Sequence, residues 1–271
     1  MVRVAIVPTC SSVRDVLTLH VEPKLDDATL VAAFEGWNDA GEAATSAAAY
    51  VRDAICAVPL AEIDGEPFLD FTVRRPILRS APDGTRRIEW PATRFTYGRS
   101  DGSRELVVGI GAEPHMHWRA YCDAFSGLVR RIRVRRVVLL GAYVADVVYS
   151  RPVGVTGFAS EEGRLREIGV APSQYEGPTG IVGVLGERLR LEGVEVLSLW
   201  AGLPHYISVS PNPRGSLALV QKLATGLPLA LDDEPLRREA AEFEQRISAL
   251  VSSDPELAEY VRQLKRREFA Q

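Results

Sequence analysis

The sequence predicts an α/β protein, a sheet covered by helices on both faces, and three observations carry that prediction. Thr29–Phe34 (TLVAAF), 105–111 (ELVVGIG), 135–144 (RRVVLLGAYV) and 195–203 (EVLSLWAGL) are nearly continuous apolar runs. Runs of that kind belong to strands buried on both faces. Segments of helical period lie between them, and such alternation defines the α/β class. The last 40 or so residues carry two apolar helix stripes, which predict a C-terminal helical hairpin.

In chain order, strand 29–34 leads into a helix from about Ala40 to Cys56. Residues 57–104 are β-rich: FTVRRPILR and RRIEWPATRFTYG are separated by Asp64-Gly65, Asp83-Gly84 and Asp101-Gly102. Asp-Gly pairs favour hairpins, because glycine supplies the positive φ of a tight turn. Strand 105–111 opens into a helix reaching about Arg133, and strand 135–144 follows. PVGVTGFA (152–159) precedes a helix start at Ser160-Glu161-Glu162. Residues 177–193 read as a helix, 195–203 as a strand and 211–227 as a helix.

Leu236, Ala240, Phe243, Ile247 and Leu250 form the first terminal stripe. Pro255 stands where a proline begins the second helix, striped by Leu257, Tyr260, Val261 and Leu264. The domain reading is therefore a core over 1–228, with the β-rich insertion at about 57–104, and a hairpin over 229–271. The hairpin is expected to pack on the core or on a neighbouring subunit.

Composition bounds the function. Of 271 residues, 46% are hydrophobic and 25% charged, ordinary values for a globular protein. A net charge of −4 provides no global field for nucleic acid. No apolar run approaches the roughly 18 residues of a membrane span. The start, MVRVAIVPTCSSVRD, has too short an apolar stretch for a signal peptide. Cys10, Cys56 and Cys122 are odd in number, far apart and set among apolar residues, which predicts buried thiols in a reducing compartment. The expected location is the cytoplasm.

The most chemical stretch is FEGWNDAGEAA (34–44), with Glu35, Asn38, Asp39 and Glu42 at a strand-to-helix junction. Asp39 suits an N-cap, with Glu42 three residues on to close a capping box. The same acids would repel a phosphate, and no glycine-rich phosphate motif accompanies them. His115 and His117 (HMH) would diverge on a helix, so no metal site is expected there. The five arginines of RRIRVRR (130–136) suit a solvated basic face or an acidic partner; they lack the interleaved aromatics of RNA-binding surfaces. No GxSxG elbow is present. Arg151 and Arg214 could bind an anion or form structural salt bridges.

Taken together, FEGWNDAGEAA, GAEPHMHWRAY (111–121), QYEGPTGIVGVL (174–185), LWAGLPHYISVSPNPRGSLALVQKL (199–223) and DPELAEYVRQLKRRE resemble the proteasome assembly chaperone 2 family, in its actinobacterial-type bacterial branch. The resemblance spans about residues 13–268. It rests on Gly36, Trp37, Asn38, Asp39, Gly41, Glu42, Glu113, Pro114, Trp118, Arg151, Pro152, Tyr175, Gly177, Pro178, His205 and Tyr206.

It implies a three-layer α/β/α sandwich with a nucleoside-phosphorylase-like layout and the added C-terminal helices. It also implies a homo-oligomer, a trimer by preference, in a family whose eukaryotic members chaperone proteasome assembly. Two departures stand out. Val148-Tyr149-Ser150 replaces the branch's usual Pro-His-Thr before Arg151-Pro152, and the chain ends Phe269-Ala270-Gln271 without a penultimate tyrosine.

The expected function is a soluble protein-interaction factor acting on itself and on a protein partner such as a proteasome component. No cofactor, nucleic acid or membrane is called for. The alternative is a small-molecule enzyme with a nucleosidase- or phosphorylase-like pocket built from Asp39, Glu42, Glu113, Arg151 and His205. An ATP-dependent carboxylate–amine ligase ranks third, because Lys24, Lys222 and Lys265 lie outside any glycine-rich loop.

Overall fold

Among the described residues nine strands form one mixed sheet, and helices cover both of its faces. The computed structural model describes residues 16–269 apart from 24, 26, 101–103 and 228. The leader reading, Cys10 and Asp101-Gly102 therefore lie outside the described residues.

The strands of the large sheet are β1 (Leu17–Leu19), β2 (Thr29–Glu35), β3 (Val58–Asp64), β6 (Ala92–Ser100), β7 (Arg104–Ala112), β8 (Arg136–Ala145), β9 (Val155–Ala159), β10 (Ala171–Pro172) and β11 (Glu195–Pro204). Strands β4 (Ile77–Ser80) and β5 (Arg86–Glu89) form a separate two-stranded hairpin. The helices are α1 (Ala43–Ala54), α2 (Trp118–Arg131), α3 (Arg164–Glu167), α4 (Ile181–Leu191), α5 (Pro213–Gly226), α6 (Glu234–Ser253) and α7 (Pro255–Phe269).

Across the large sheet the order is β1-β3-β6-β7-β2-β8-β11-β9-β10. Strands β7, β2, β8 and β11 run parallel; β6 joins antiparallel to β7, and β9 antiparallel to β11. Alternation along β2 divides the core. Leu30, Ala32 and Phe34 meet Tyr121, Phe125 and Leu128 of α2 and Ile181 and Leu185 of α4. Val31 and Ala33 face Ala44, Ala47 and Val51 of α1 and Leu219 and Leu223 of α5 on the other side. Both sets are buried, which is why the strand reads as an unbroken apolar run.

The differences from the sequence expectation have local causes. Helix α1 begins at Ala43 and not at Ala40, because Gly41 (φ 58°) and Glu42 (φ 51°) are left-handed and break a 3-10 turn over Ala40–Glu42 from the helix. Residues 177–180 are not helical; α4 starts at Ile181. The helix expected at Ser160 is the single turn α3. Residues 71–74 are turn and bend, so strand β4 is shorter than FTVRRPILR suggests. Asp83-Gly84 does close the β4–β5 hairpin, whereas Gly65 opens a turn in which Phe68 N donates to Gly65 O.

Cys122 is buried, and burial pushes its thiol up to about 11. Cys56 is exposed, contrary to expectation, because it occupies a left-handed position (φ 47°) where the chain turns out of α1.

Helices α6 and α7 pack against each other and against the loops after β8 and β11. Phe243, Ile247, Val251, Val261 and Leu264 form a third core with Val148, flanked by Tyr149, Tyr206 and Ile207. The α6 stripe ends on Val251, 7% exposed, whereas Leu250 is 51% exposed. Both positions suit a 3.6-residue period from Ile247; the presence of Val261 and Leu264 on α7 selects Val251. Leu250→Gln is accordingly expected to change stability by less than about 0.5 kcal/mol, and Val251→Ala to cost about 2 kcal/mol, both read by urea unfolding. Equal effects would refute the assignment.

Candidate functional site

The four parallel strands end at one edge of the sheet, β2 and β7 at Glu35 and Ala112, and β8 and β11 about three residues further on at Ala145 and Pro204. The loops leaving this edge carry nearly every motif residue singled out in the sequence, and α/β sheets bind ligands at such an edge.

The loop after β2 is tied inward. Asn38 is fully buried; its carbonyl accepts from Ala142 N (2.8 Å), and its Nδ2 donates to Glu113 Oε1 (2.7 Å). The same Glu113 oxygen accepts from Ile181 N (2.8 Å), the first residue of α4. Glu113 thus joins the ends of β2 and β7 to a helix start, where a carboxylate also suits the helix dipole. Gly180 closes this junction: a Cβ there would lie 2.2 Å from Asn38 Oδ1 and 2.6 Å from Glu113 Oε1.

Asp39 caps α1, but not by a capping box. Its Oδ1 accepts from Ala44 N (2.7 Å) and Thr45 N (3.2 Å), and the Thr45 hydroxyl donates to its Oδ2. Burial raises the Asp39 pKa above its ordinary value, against the opposing bonds from Thr45 and Ala44. Glu42 cannot return a bond from within the helix, because its left-handed backbone places it ahead of the first turn. Glu35 pairs with Arg74. Trp37 is 61% exposed, beside the buried Asn38.

A second setting lies toward α6. A cavity of about 200 Å³ is lined by Arg151, Pro152, Asn212, Arg214, Phe243 and Ile247, among others. Arg214 donates to Arg151 O (2.7 Å) and stands 3.6 Å from Glu244, and it thereby takes the structural salt-bridge role. Of the five residues proposed for chemistry, Arg151 lines this cavity, whereas Asp39, Glu42, Glu113 and His205 do not.

His205 forms a third setting. Its Nδ1 lies 3.1 Å from Asp146 Oδ1 and its Nε2 3.4 Å from the Tyr260 hydroxyl. The rings of His205, Tyr206 and Tyr260 meet edge to face at 5.4–5.6 Å. The Tyr206 hydroxyl donates to Val147 O (3.1 Å) and accepts from Tyr149 N (2.9 Å), holding the Val148-Tyr149 segment against the terminal helices.

The remaining motif residues shape the backbone. Gly36 is left-handed (φ 117°), the Trp118 indole donates to Pro114 O (2.6 Å), and Tyr175 donates to Pro178 O (2.9 Å) around Gly177. His115 Nδ1 accepts from Asp70 N (2.8 Å), and His117 is the left-handed residue ahead of α2. Among the described residues no group of three or more His, Cys, Asp or Glu side chains could hold a metal ion, and no helix is long and apolar enough to cross a membrane. Arg130, Arg131, Arg135 and Arg136 of the basic run pair with Glu192, Glu22, Asp27 and Glu195, so acids of the same chain meet their charge.

Thr45, Arg74, Asp146, Gly180 and Tyr260 went unrecognised as partners in the sequence. Only Gly180 had a visible signal, the YEGPTG run (175–180); the others act across separations that no local pattern encodes.

Comparison with known proteins agrees with this geometry. The PAC2 family profile matches residues 33–251. No curated protein matches the chain significantly. Among solved structures, a Mycobacterium tuberculosis proteasome-assembly chaperone homologue is 40% identical with a TM-score of 0.78, over 86% of this chain and 99% of that one. A PAC2 family protein from Streptomyces avermitilis is 39% identical with a TM-score of 0.80, over 87% and 100%. A Mycobacterium tuberculosis protein of unknown function is 26% identical with a TM-score of 0.83, over 94% and 91%. With its profile match, its actinobacterial neighbours and its motif residues gathered at one sheet edge, the chain belongs to the PAC2 family.

Proposed function

We propose that this chain is a chaperone-like protein-interaction factor that works as a homo-oligomer, a trimer by preference, and engages proteasome components during their assembly. The observation that carries this reading is the use made of the acids at the strand edge. Asp39 and Glu113 hold the starts of α1 and α4 and are not presented together to a substrate. Exposed apolar side chains occupy the surrounding surface: Trp37, Met116, Tyr143, Val144 and Tyr175. Aromatic and methionine side chains are enriched where proteins bind proteins, and the 40%-identical relative is described as a proteasome-assembly chaperone homologue.

The test adds the purified chain to separately purified proteasome subunits of its own organism and follows assembly on native gels. Comigration with a subunit or an assembly intermediate, and a changed rate of ring formation, is expected, with Trp37→Ser weakening both. Unchanged assembly together with no comigration would overturn the reading.

A further inference from the structure

The β4–β5 hairpin stands apart from the large sheet, and all but one of its strand residues are exposed. A two-stranded hairpin is marginal in water when nothing covers it. This one leaves the cross-strand pair Leu78–Ile88 in solvent on one face and sets Arg79 directly opposite Arg87 on the other. Like charges in that relation destabilise a hairpin. Residues 77–89 contain three arginines and two acids, a net +1 in a chain of −4; Arg79 pairs with Glu89 (3.1 Å), and Arg86 and Arg87 are exposed. The hairpin therefore presents apolar and cationic groups that an acidic, partly apolar groove would satisfy.

The chain contains such a groove. A cleft of about 680 Å³ between the end of α1 and the approach to α6 is lined by Tyr50, Asp53, Leu231, Asp232 and Pro235, among others, with no lysine or arginine in its lining, although the adjacent Arg52 pairs with Asp53 (2.8 Å). The Tyr50 hydroxyl donates to Asp232 O (2.5 Å). Its pKa is raised, first by burial and then by the charges of Asp232, Asp233 and Glu239.

The two features cannot meet within one molecule. The register places Asp64 and Ala92, which flank the hairpin, level with the ends of β2 and β7. Val58, just after α1, is level with Tyr97 and through it with the start of β2, at the opposite edge of the sheet.

We infer that the β4–β5 hairpin of one copy seats in the Asp53–Asp232 groove of a second copy of this chain, forming a heterologous interface. An interface of this type builds rings when its rotation closes. The assignment rests on the proposed self-association and adds the two surfaces that carry it.

Light scattering after gel filtration, at about 100 μM to reach micromolar affinities, tests it on the full chain. The parent is expected to be oligomeric and to dissociate as salt rises, because exposed ion pairs are screened. R86E/R87E is expected to weaken association by about 100-fold or more, like charges at an interface costing several kcal/mol. D53K/D232K is expected to do the same, each variant keeping the parent's circular dichroism. Mixing the two variants restores opposite charges wherever one variant meets the other and is expected to restore association above the monomer mass; an odd-numbered ring cannot alternate the two, so recovered mass, not a closed ring, is the readout. An R86E/R87E protein that stays fully oligomeric, or a mixture that stays dissociated, overturns the surface assignment while self-association stands. A monomeric parent overturns both, leaving the subunit-binding reading to its own assay.

Discussion

Asp39→Ala is expected to lower the unfolding free energy by about 3 kcal/mol, and with it the melting temperature by about 6–12 °C. Asp39 Oδ1 accepts from the amides of Ala44 and Thr45, and Oδ2 takes the Thr45 hydroxyl. Loss of an N-cap costs up to about 2 kcal/mol, and each buried donor left unpaired costs about 1–3 kcal/mol. Release of a carboxylate from a buried position offsets part of that sum. Asp39→Asn keeps an acceptor and should cost about 1 kcal/mol. If alanine were no worse than asparagine, the capping role would be refuted.

The acid limb offers an independent check on the same residue. Burial holds the native Asp39 pKa above its unfolded value. The native state therefore binds more protons between the two values, and the Asp39 contribution to stability falls as pH rises from about 4 through the raised native pKa, then levels off. Denaturant titrations across that window should show the slope in the parent and its loss in Asp39→Asn.

Gly180→Ala is expected to cost about 3 kcal/mol, at the upper end of overpacking effects. The new methyl would fall 2.2 Å from Asn38 Oδ1 and 2.6 Å from Glu113 Oε1, and neither side chain can withdraw without breaking the bond between them. Glu113 would also lose its hold on Ile181 N, loosening the start of α4. A double-mutant cycle isolates the cause, since contacting residues couple by about 0.5–3 kcal/mol. In an Asn38→Ala background the glycine substitution should cost at least about 1 kcal/mol less. Additive effects would place the damage elsewhere in the backbone.

The parts of the fold legible in sequence are those with a strong local period. Strands β2, β7 and β8 were visible because burial on both faces leaves no polar residue in their middles, and β11 because Ser198 alone interrupts its apolar run. Asp39 was rightly seen as a cap, but its register was missed because the left-handed pair Gly41-Glu42 displaces the helix start by three residues. A non-glycine residue at positive φ leaves no mark in composition.

At the strand edge, Glu113 and Gly180 carry no local signature of their joint role, which exists only once β7 and α4 are adjacent. The Val251-for-Leu250 exchange has the same origin, since a helix period is degenerate over a single turn and the partner α7 decides it.

Strand β2 has a consequence for synthesis. It occupies the centre of the nine-stranded sheet, yet its neighbours β7 and β8 begin at Arg104 and Arg136. On a ribosome the first long apolar segment of this chain waits for more than 100 further residues before both of its edges can be paired. Non-local pairing of this kind slows folding and prolongs exposure of apolar backbone. Nascent chains arrested before β8 should therefore be the species most readily captured by holdase chaperones, and extension past Ala145 should release them.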